Sequence, residues 1–195
     1  SVGSGSERMR FFPTLGNHDA DTQNGQPYLD YFSLPNNERY YDFTWGPVHF
    51  FALNCDWREP DGVGRSSLQA QWLKEGLAQS TAPWKIVYGH LSPYSSGYQG
   101  SIDWMLWPFA RWGASIYLAG HDHNYERLVV DGFTYVINGL GGGAIYAIED
   151  ALPGSQAFYN NQYGALRVHG AAARLDFEFI NIQGEVIDSF SLLQP

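Results

Sequence analysis

The sequence predicts an α/β (α+β) layered sandwich with mixed sheets, and three observations point to it. Apolar runs of strand length recur along the chain, an amphipathic helix separates two of them, and the last part continues in strands without helices. The clearest strands are "MRFFPTL" (9–15), "RYYDFTWG" (39–46), "PVHFFALNC" (47–55) and "WKIVYGH" (84–90). Ser66 to Ser80 predicts a helix, with Leu68, Trp72, Leu73 and Leu77 on one face and a capping box of Ser66 with Gln69. A second helix is expected around "IDWMLWPFARWG", kinked or ended by Pro108. "SIYLAG", "RLVVDG" and "FTYVING" follow as strands, and the tail reads as antiparallel strands with a turn at Gln183-Gly184.

Bulk properties bound the function. The 195 residues suit one domain, and 44% hydrophobic composition supports a real core. Residues 1–8 read as a linker or truncated start, and 9–195 as a single domain. Low charge content (16%) alongside 7 Trp, 13 Tyr and 12 Phe implies a dense interior whose loops also carry large rings. A formal net charge of -9 repels a phosphate backbone, which excludes nucleic acid as the expected partner. The single Cys55 excludes an intrachain disulfide and a cysteine-based zinc site. No apolar run approaches the roughly 18 residues a membrane span needs.

Three strands end alike. "MRFFPTL" runs into Gly16-Asn17-His18-Asp19, "WKIVYG" into His90, and "SIYLAG" into His121-Asp122-His123. Adjacent parallel strands would gather these loops at one sheet edge, where sites of layered α/β folds form. Imidazole nitrogen with amide or carboxylate oxygen suits zinc, iron, manganese or related ions. In an extended segment His121 and His123 face the same way while Asp122 points elsewhere. His18 is placed to give a proton to a leaving oxygen, with Asp19 holding its ring.

The blocks "GNHD" (16–19), "GH" (89–90) and "GHDHNYER" (120–127), with "YVINGLGG" after them, resemble the calcineurin-like metallophosphoesterases, purple acid phosphatase branch. The resemblance runs from Met9 onward and implies a metallophosphoesterase-type αββα fold. It implies Asn17, His90 and His121 on one metal ion and His123 on a second, with His18 at the leaving group. It implies two divalent or trivalent ions (Zn, Fe or Mn) and hydrolysis of a phosphorylated small molecule by metal-assisted attack of water. It also implies a secreted or periplasmic location.

The family's Asp-x-His and GDxxY blocks, the latter supplying a bridging carboxylate, have no counterpart: the sequence holds no Gly-Asp and no Asp-x-His. The chain is therefore expected to be the C-terminal portion of such a domain, its N-terminal strands and ligand blocks supplied by the same polypeptide or a partner chain. Three function classes stay open: a phosphomonoesterase, a phosphatase-like fragment or interaction module without turnover, and a phosphodiesterase. Tyr94, Ser95 and Ser96 are expected to line the substrate mouth, with Tyr125 and Arg127 behind the GHDH turn, Arg127 because its fork matches phosphate. His49 and His169 read as sheet residues, Asp56 as a turn initiator, Trp104, Trp107 and Trp112 as packing, and "GLGGGAIY" (139–146) as a flexible loop at the site edge.

Overall fold

The computed structural model describes residues 11–148 and 150–194. Two short helices, α1 (Asn17–Asp21) and α2 (Gln26–Tyr31), precede the hairpin of β1 (Tyr41–Trp45) and β2 (Val48–Leu53). Then come α3 (Leu68–Gln79), β3 (Trp84–Gly89), α4 (Phe109–Trp112), β4 (Ile116–Ala119), β5 (Tyr125–Val130) and β6 (Phe133–Asn138). The chain ends in β7 (Ser155–Tyr159), β8 (Gly164–Ala171), β9 (Arg174–Asn181) and β10 (Val186–Leu193).

Seven strands form one mixed sheet in the order β1-β2-β3-β4-β6-β5-β7, and the tail forms a second, antiparallel sheet, β10-β9-β8. Within the larger sheet β2, β3, β4 and β6 run parallel as neighbours. Both faces of it bury apolar side chains, as a parallel sheet requires. On one face Ala70, Leu73 and Leu77 of α3 meet Phe51, Leu53, Val87 and Tyr117, together with Met105, Trp107 and Phe109. On the other, Leu175, Phe177 and Phe179 of β9 meet Val48, Trp84, Ile86, Ile116, Tyr125 and Val136. Among the described residues the layers therefore run helix, sheet, sheet. The smaller sheet covers only part of its side. Phe12, Phe43, Phe50, Tyr88, Leu118 and Ala119 line an open apolar depression of about 310 Å³ on the remainder.

Several local expectations are corrected. Residues 9 and 10 of the first expected strand lie outside the described residues, and Phe11–Leu15 forms no strand. Pro13 has no N–H for a ladder, and tyrosine hydroxyls take the nearby carbonyls: Tyr28 and Tyr41 donate to Pro13, and Tyr88 donates to Phe12. The cap of α3 is Ser67, whose Oγ accepts from the Ala70 N–H at 3.1 Å, not Ser66. Gln69 turns inward instead of capping, and its buried amide bonds both backbone groups of Asn54. Leu68, at 61% exposure, lies off the apolar face. The second helix is split into a 3₁₀ turn, Asp103–Met105, and α4, with Pro108 at the α4 N-cap. β7 was not expected; its half-buried residues alternate with exposed ones, and of its apolar residues only Ala157 and Tyr159 pack against the inter-sheet core.

The Pro13 carbonyl, held by two hydroxyls, predicts coupling between them. Tyr28→Phe and Tyr41→Phe should each cost about 1 kcal/mol, and the double variant should exceed their sum by roughly 0.5 kcal/mol or more, as the carbonyl loses both donors. Urea unfolding of the four proteins measures this.

Candidate functional site

The parallel pairing of β3 with β4 brings two of the expected loops together. Its last register pair is Tyr88 with Leu118, and beyond it the Gly120 N–H donates to the His90 carbonyl at 3.0 Å. His90 and His121 therefore leave the sheet side by side. The GNHD block arrives differently: Thr14 Oγ donates to the carbonyl of Leu53 at the end of β2, which lays the segment across the strand ends. Gly16 can lie against the His90 ring because a Cβ there would sit 3.2 Å from two imidazole atoms.

Three donor atoms converge as a result. Asn17 Oδ1 is 2.8 Å from His90 Nε2, and His90 Nε2 is 3.0 Å from His121 Nδ1. One ring proton on His90 cannot serve both contacts well, so the trio offers more lone pairs than protons. Zinc holds nitrogen and oxygen ligands at about 2.0–2.2 Å, which separates neighbouring donor atoms by roughly 2.9–3.4 Å. The trio's chemistry and spacing therefore fit one ion. Among the described residues no group of three or more His, Cys, Asp and Glu side chains is placed to hold a metal, and the trio itself has only two such residues.

His123 does not join them. The extended alternation expected for GHDH is broken because His121 has φ 66°, with successive tight turns closed by Asp122 N–H to Gly120 O and Asn124 N–H to Asp122 O, each 2.8 Å. A non-glycine residue in this region is strained by on the order of 1–3 kcal/mol, and such strain concentrates at functional sites. His123 instead places Nδ1 2.6 Å from the Ala144 carbonyl and stacks on Tyr146. Asp122 points elsewhere, as expected, into a buried position where Ser95 Oγ and the Gln99 N–H bond its carboxylate.

The remaining expected residues divide. His18 is exposed on α1, near enough for its charge to bear on His90 and His121. The Asp19 carboxylate accepts from the Gly16 N–H at 2.9 Å, so it holds the GNHD turn and not the His18 ring. Tyr94 packs on Tyr135 against the helix-side core. Tyr125 is fully buried between the sheets, stacked on Phe179, with its hydroxyl on Asp188. Arg127 makes a two-pronged contact to the same Asp188 at 2.7 and 3.0 Å. Odd positions of β5 face the second sheet, so the expectation that Tyr125 and Arg127 serve a phosphate is corrected. Ser96 bonds Glu126, bracing the turn from the other face.

Two further residues lie beside the site: Asp56, read from the sequence as a turn initiator, does open a turn, its Oδ1 accepting from the Arg58 N–H at 3.0 Å, and Arg58 escaped the sequence reading. Asp56, 5% exposed, is gripped by Arg58 Nε and Nη2, and Arg58 also reaches the Asn17 carbonyl and Asp21. Burial would raise the Asp56 carboxyl, but the Arg58 bonds hold it below its usual value. Only its position just past β2, in the same row as His90, would have signalled Arg58.

Burial, then the nearby charges of His121, His18 and His123, pull His90 down from 6.5 to about 4; burial also lowers His121. Both rings are therefore neutral at neutral pH, the form that binds metal. Between pH 6.5 and 4 the unfolded chain binds a proton at residue 90 that the folded chain refuses. Stability of the metal-free protein should then fall as pH drops through that window, by on the order of 3 kcal/mol from this group. Unfolding in chelator from pH 7 to 4 should show the slope, and His90→Gln should flatten much of it.

Residues 4–125 match the family model described as calcineurin-like phosphoesterase. Purple acid phosphatase 3 of Arabidopsis thaliana is 27% identical over 175 residues, covering 83% of this chain and 43% of the relative. Tartrate-resistant acid phosphatase type 5 of Rattus norvegicus is 34% identical over 87 residues, covering 42% of this chain and 27% of the relative. The chain thus spans less than half the length of these curated relatives. In fold it is similar to GAP50, the anchor in the inner membrane complex of Plasmodium, with a TM-score of 0.71 and 19% identity over 97% of this chain and 69% of that one. PhoD superposes with a TM-score of 0.58 and 18% identity, over 86% of this chain and 44% of the other. With its model matched over more than half of the residues, the chain belongs to the calcineurin-like phosphoesterase family, on the side of the purple acid phosphatases.

Proposed function

We propose that the protein hydrolyses phosphomonoesters, with Asn17, His90 and His121 holding one metal ion and His123 contributing to a second. The convergence of Asn17 Oδ1, His90 Nε2 and His121 Nδ1 at the ends of adjacent parallel strands carries this reading. When bound, such ions polarise the phosphate and make water a nucleophile near neutral pH. The protein's own residues present three neutral donors from a fixed backbone and keep His121 in its bend through the Gly120–His90 bond. His18, exposed beside the trio, donates the proton that the departing alkoxide requires. A phosphorylated small molecule is the substrate, and a secreted or periplasmic location goes with the acid phosphatase resemblance. No helix among the described residues is long and apolar enough to cross a membrane.

One observation favours a second reading, a phosphatase-like module without turnover. The donors are all neutral, and the carboxylates around them, Asp19, Asp56 and Asp122, are engaged by Gly16, Arg58 and Ser95.

Hydrolysis of 4-nitrophenyl phosphate with added Zn²⁺ or Mn²⁺ separates the two. The enzyme reading expects kcat/KM to fall by about 100-fold or more in His90→Ala and in His121→Ala. Activity no higher than the His121→Ala control at saturating metal would establish the second reading. His18→Ala should slow poor leaving groups by about 10²-fold or more while sparing 4-nitrophenolate, which leaves without a proton. Equal losses on both substrate types would remove His18 from the acid role.

A further inference from the structure

The glycine-rich segment Gly139–Tyr146 is not a loose edge loop, because it closes on His123 from several sides. The Ala144 carbonyl lies 2.6 Å from His123 Nδ1, and the Tyr146 ring stacks on the imidazole with centroids 4.2 Å apart and planes 14° apart. The Tyr146 N–H donates to the His123 carbonyl at 3.0 Å, which ties loop to turn through the backbone as well. Gly143 lies so near that a Cβ there would sit 2.5 Å from Cε1 and 2.8 Å from Nδ1 of the ring. Tyr146 is itself braced: Tyr98 makes a T-shaped contact with it at 5.7 Å between centroids, and Asn160 Nδ2 bonds its carbonyl at 3.0 Å.

A carbonyl oxygen only accepts, so the contact to Ala144 places the proton of the neutral ring on Nδ1 and leaves the Nε2 lone pair bare. Outer contacts of this kind fix the tautomer and orientation of metal-binding histidines. We propose that Gly143 and Tyr146 are positioning residues that lock His123 in the Nδ1–H form and aim Nε2 at a cation. The inference rests on the reading of His123 as a metal ligand for its use, but the lock is a property of the metal-free chain. Gly143 contributes by lacking a Cβ, Tyr146 by its ring plane; the Tyr146 hydroxyl has no part in either contact.

Two-bond ¹H–¹⁵N spectra of the metal-free full chain, at a pH where His123 is neutral, read the tautomer directly. Wild type should show a single Nδ1–H form at His123. Gly143→Ala, at an exposed loop position, and Tyr146→Ala should each shift it towards a mixture. Tyr146→Phe, which keeps the stacked ring, should retain the wild-type signature, a rescue that general loosening of the fold would not give. A mixture in wild type, or an unchanged signature in both Gly143→Ala and Tyr146→Ala, overturns the lock. Zn²⁺ titration by calorimetry then tests its use. Gly143→Ala should weaken the His123-dependent binding by about 10- to 100-fold, and His123→Ala should abolish that phase. A locked tautomer with Zn²⁺ binding indifferent to His123→Ala would leave the lock standing and remove His123 from the metal site.

Discussion

The meeting of His90 and His121, on which the candidate trio is built, depends on the parallel pairing of β3 with β4. The ladder matches Tyr88 to Leu118, so the strands stop together, and the Gly120–His90 backbone bond carries the pairing one step past the sheet. His90 lies two residues beyond Tyr88, and His121 three beyond Leu118. The left-handed φ at His121 absorbs that extra residue and turns Nδ1 back towards His90. A bend costing on the order of 1–3 kcal/mol persists only where its surroundings over-determine it. The buried sheet on one side and Asp122, held by Ser95 and Gln99, on the other supply that determination.

Charge is distributed around the site in an unexpected way for a chain of net charge -9. The nearby carboxylates are directed at backbone N–H groups, hydroxyls and Arg58, where they fix loop shape. The donors that converge are neutral. Such a set would hold a cation by geometry and lone pairs alone, leaving the ion's charge to be balanced by an anionic ligand. It also makes the fold sensitive to acid, since the burial that keeps His90 neutral opposes a proton that the unfolded chain takes up.

Much of this arrangement was legible in the sequence because it is written in short-range chemistry. An apolar run, then glycine, then a ligand type singled out Asn17, His90 and His121; strand adjacency brings His90 and His121 together, whereas Asn17 arrives through the Thr14–Leu53 bond. What escaped was set by distant contacts. Arg127 looked like a phosphate fork until Asp188, on a strand 61 residues away, took both its prongs. Residues 11–15 have strand composition, but tyrosine hydroxyls from three separate elements claim their carbonyls and suppress the ladder. His121 and His123 share a face only if the backbone is extended, and residue pattern does not reveal a positive φ at a histidine.

The two histidines of the GHDH turn are consequently held by different parts of the fold. His121 takes its position from strand ends in the central sheet, packed against the helix-side core on one face and bordering the open apolar depression on the other. His123 takes its position from an exposed glycine loop whose fit depends on one ring stack and one missing Cβ. Between them lies Asp122, anchored in the opposite direction, so a displacement of one ring is poorly transmitted to the other. Substitution at Gly143 or Tyr146 can therefore retune His123 while leaving the strand ends that hold His90 and His121 in place.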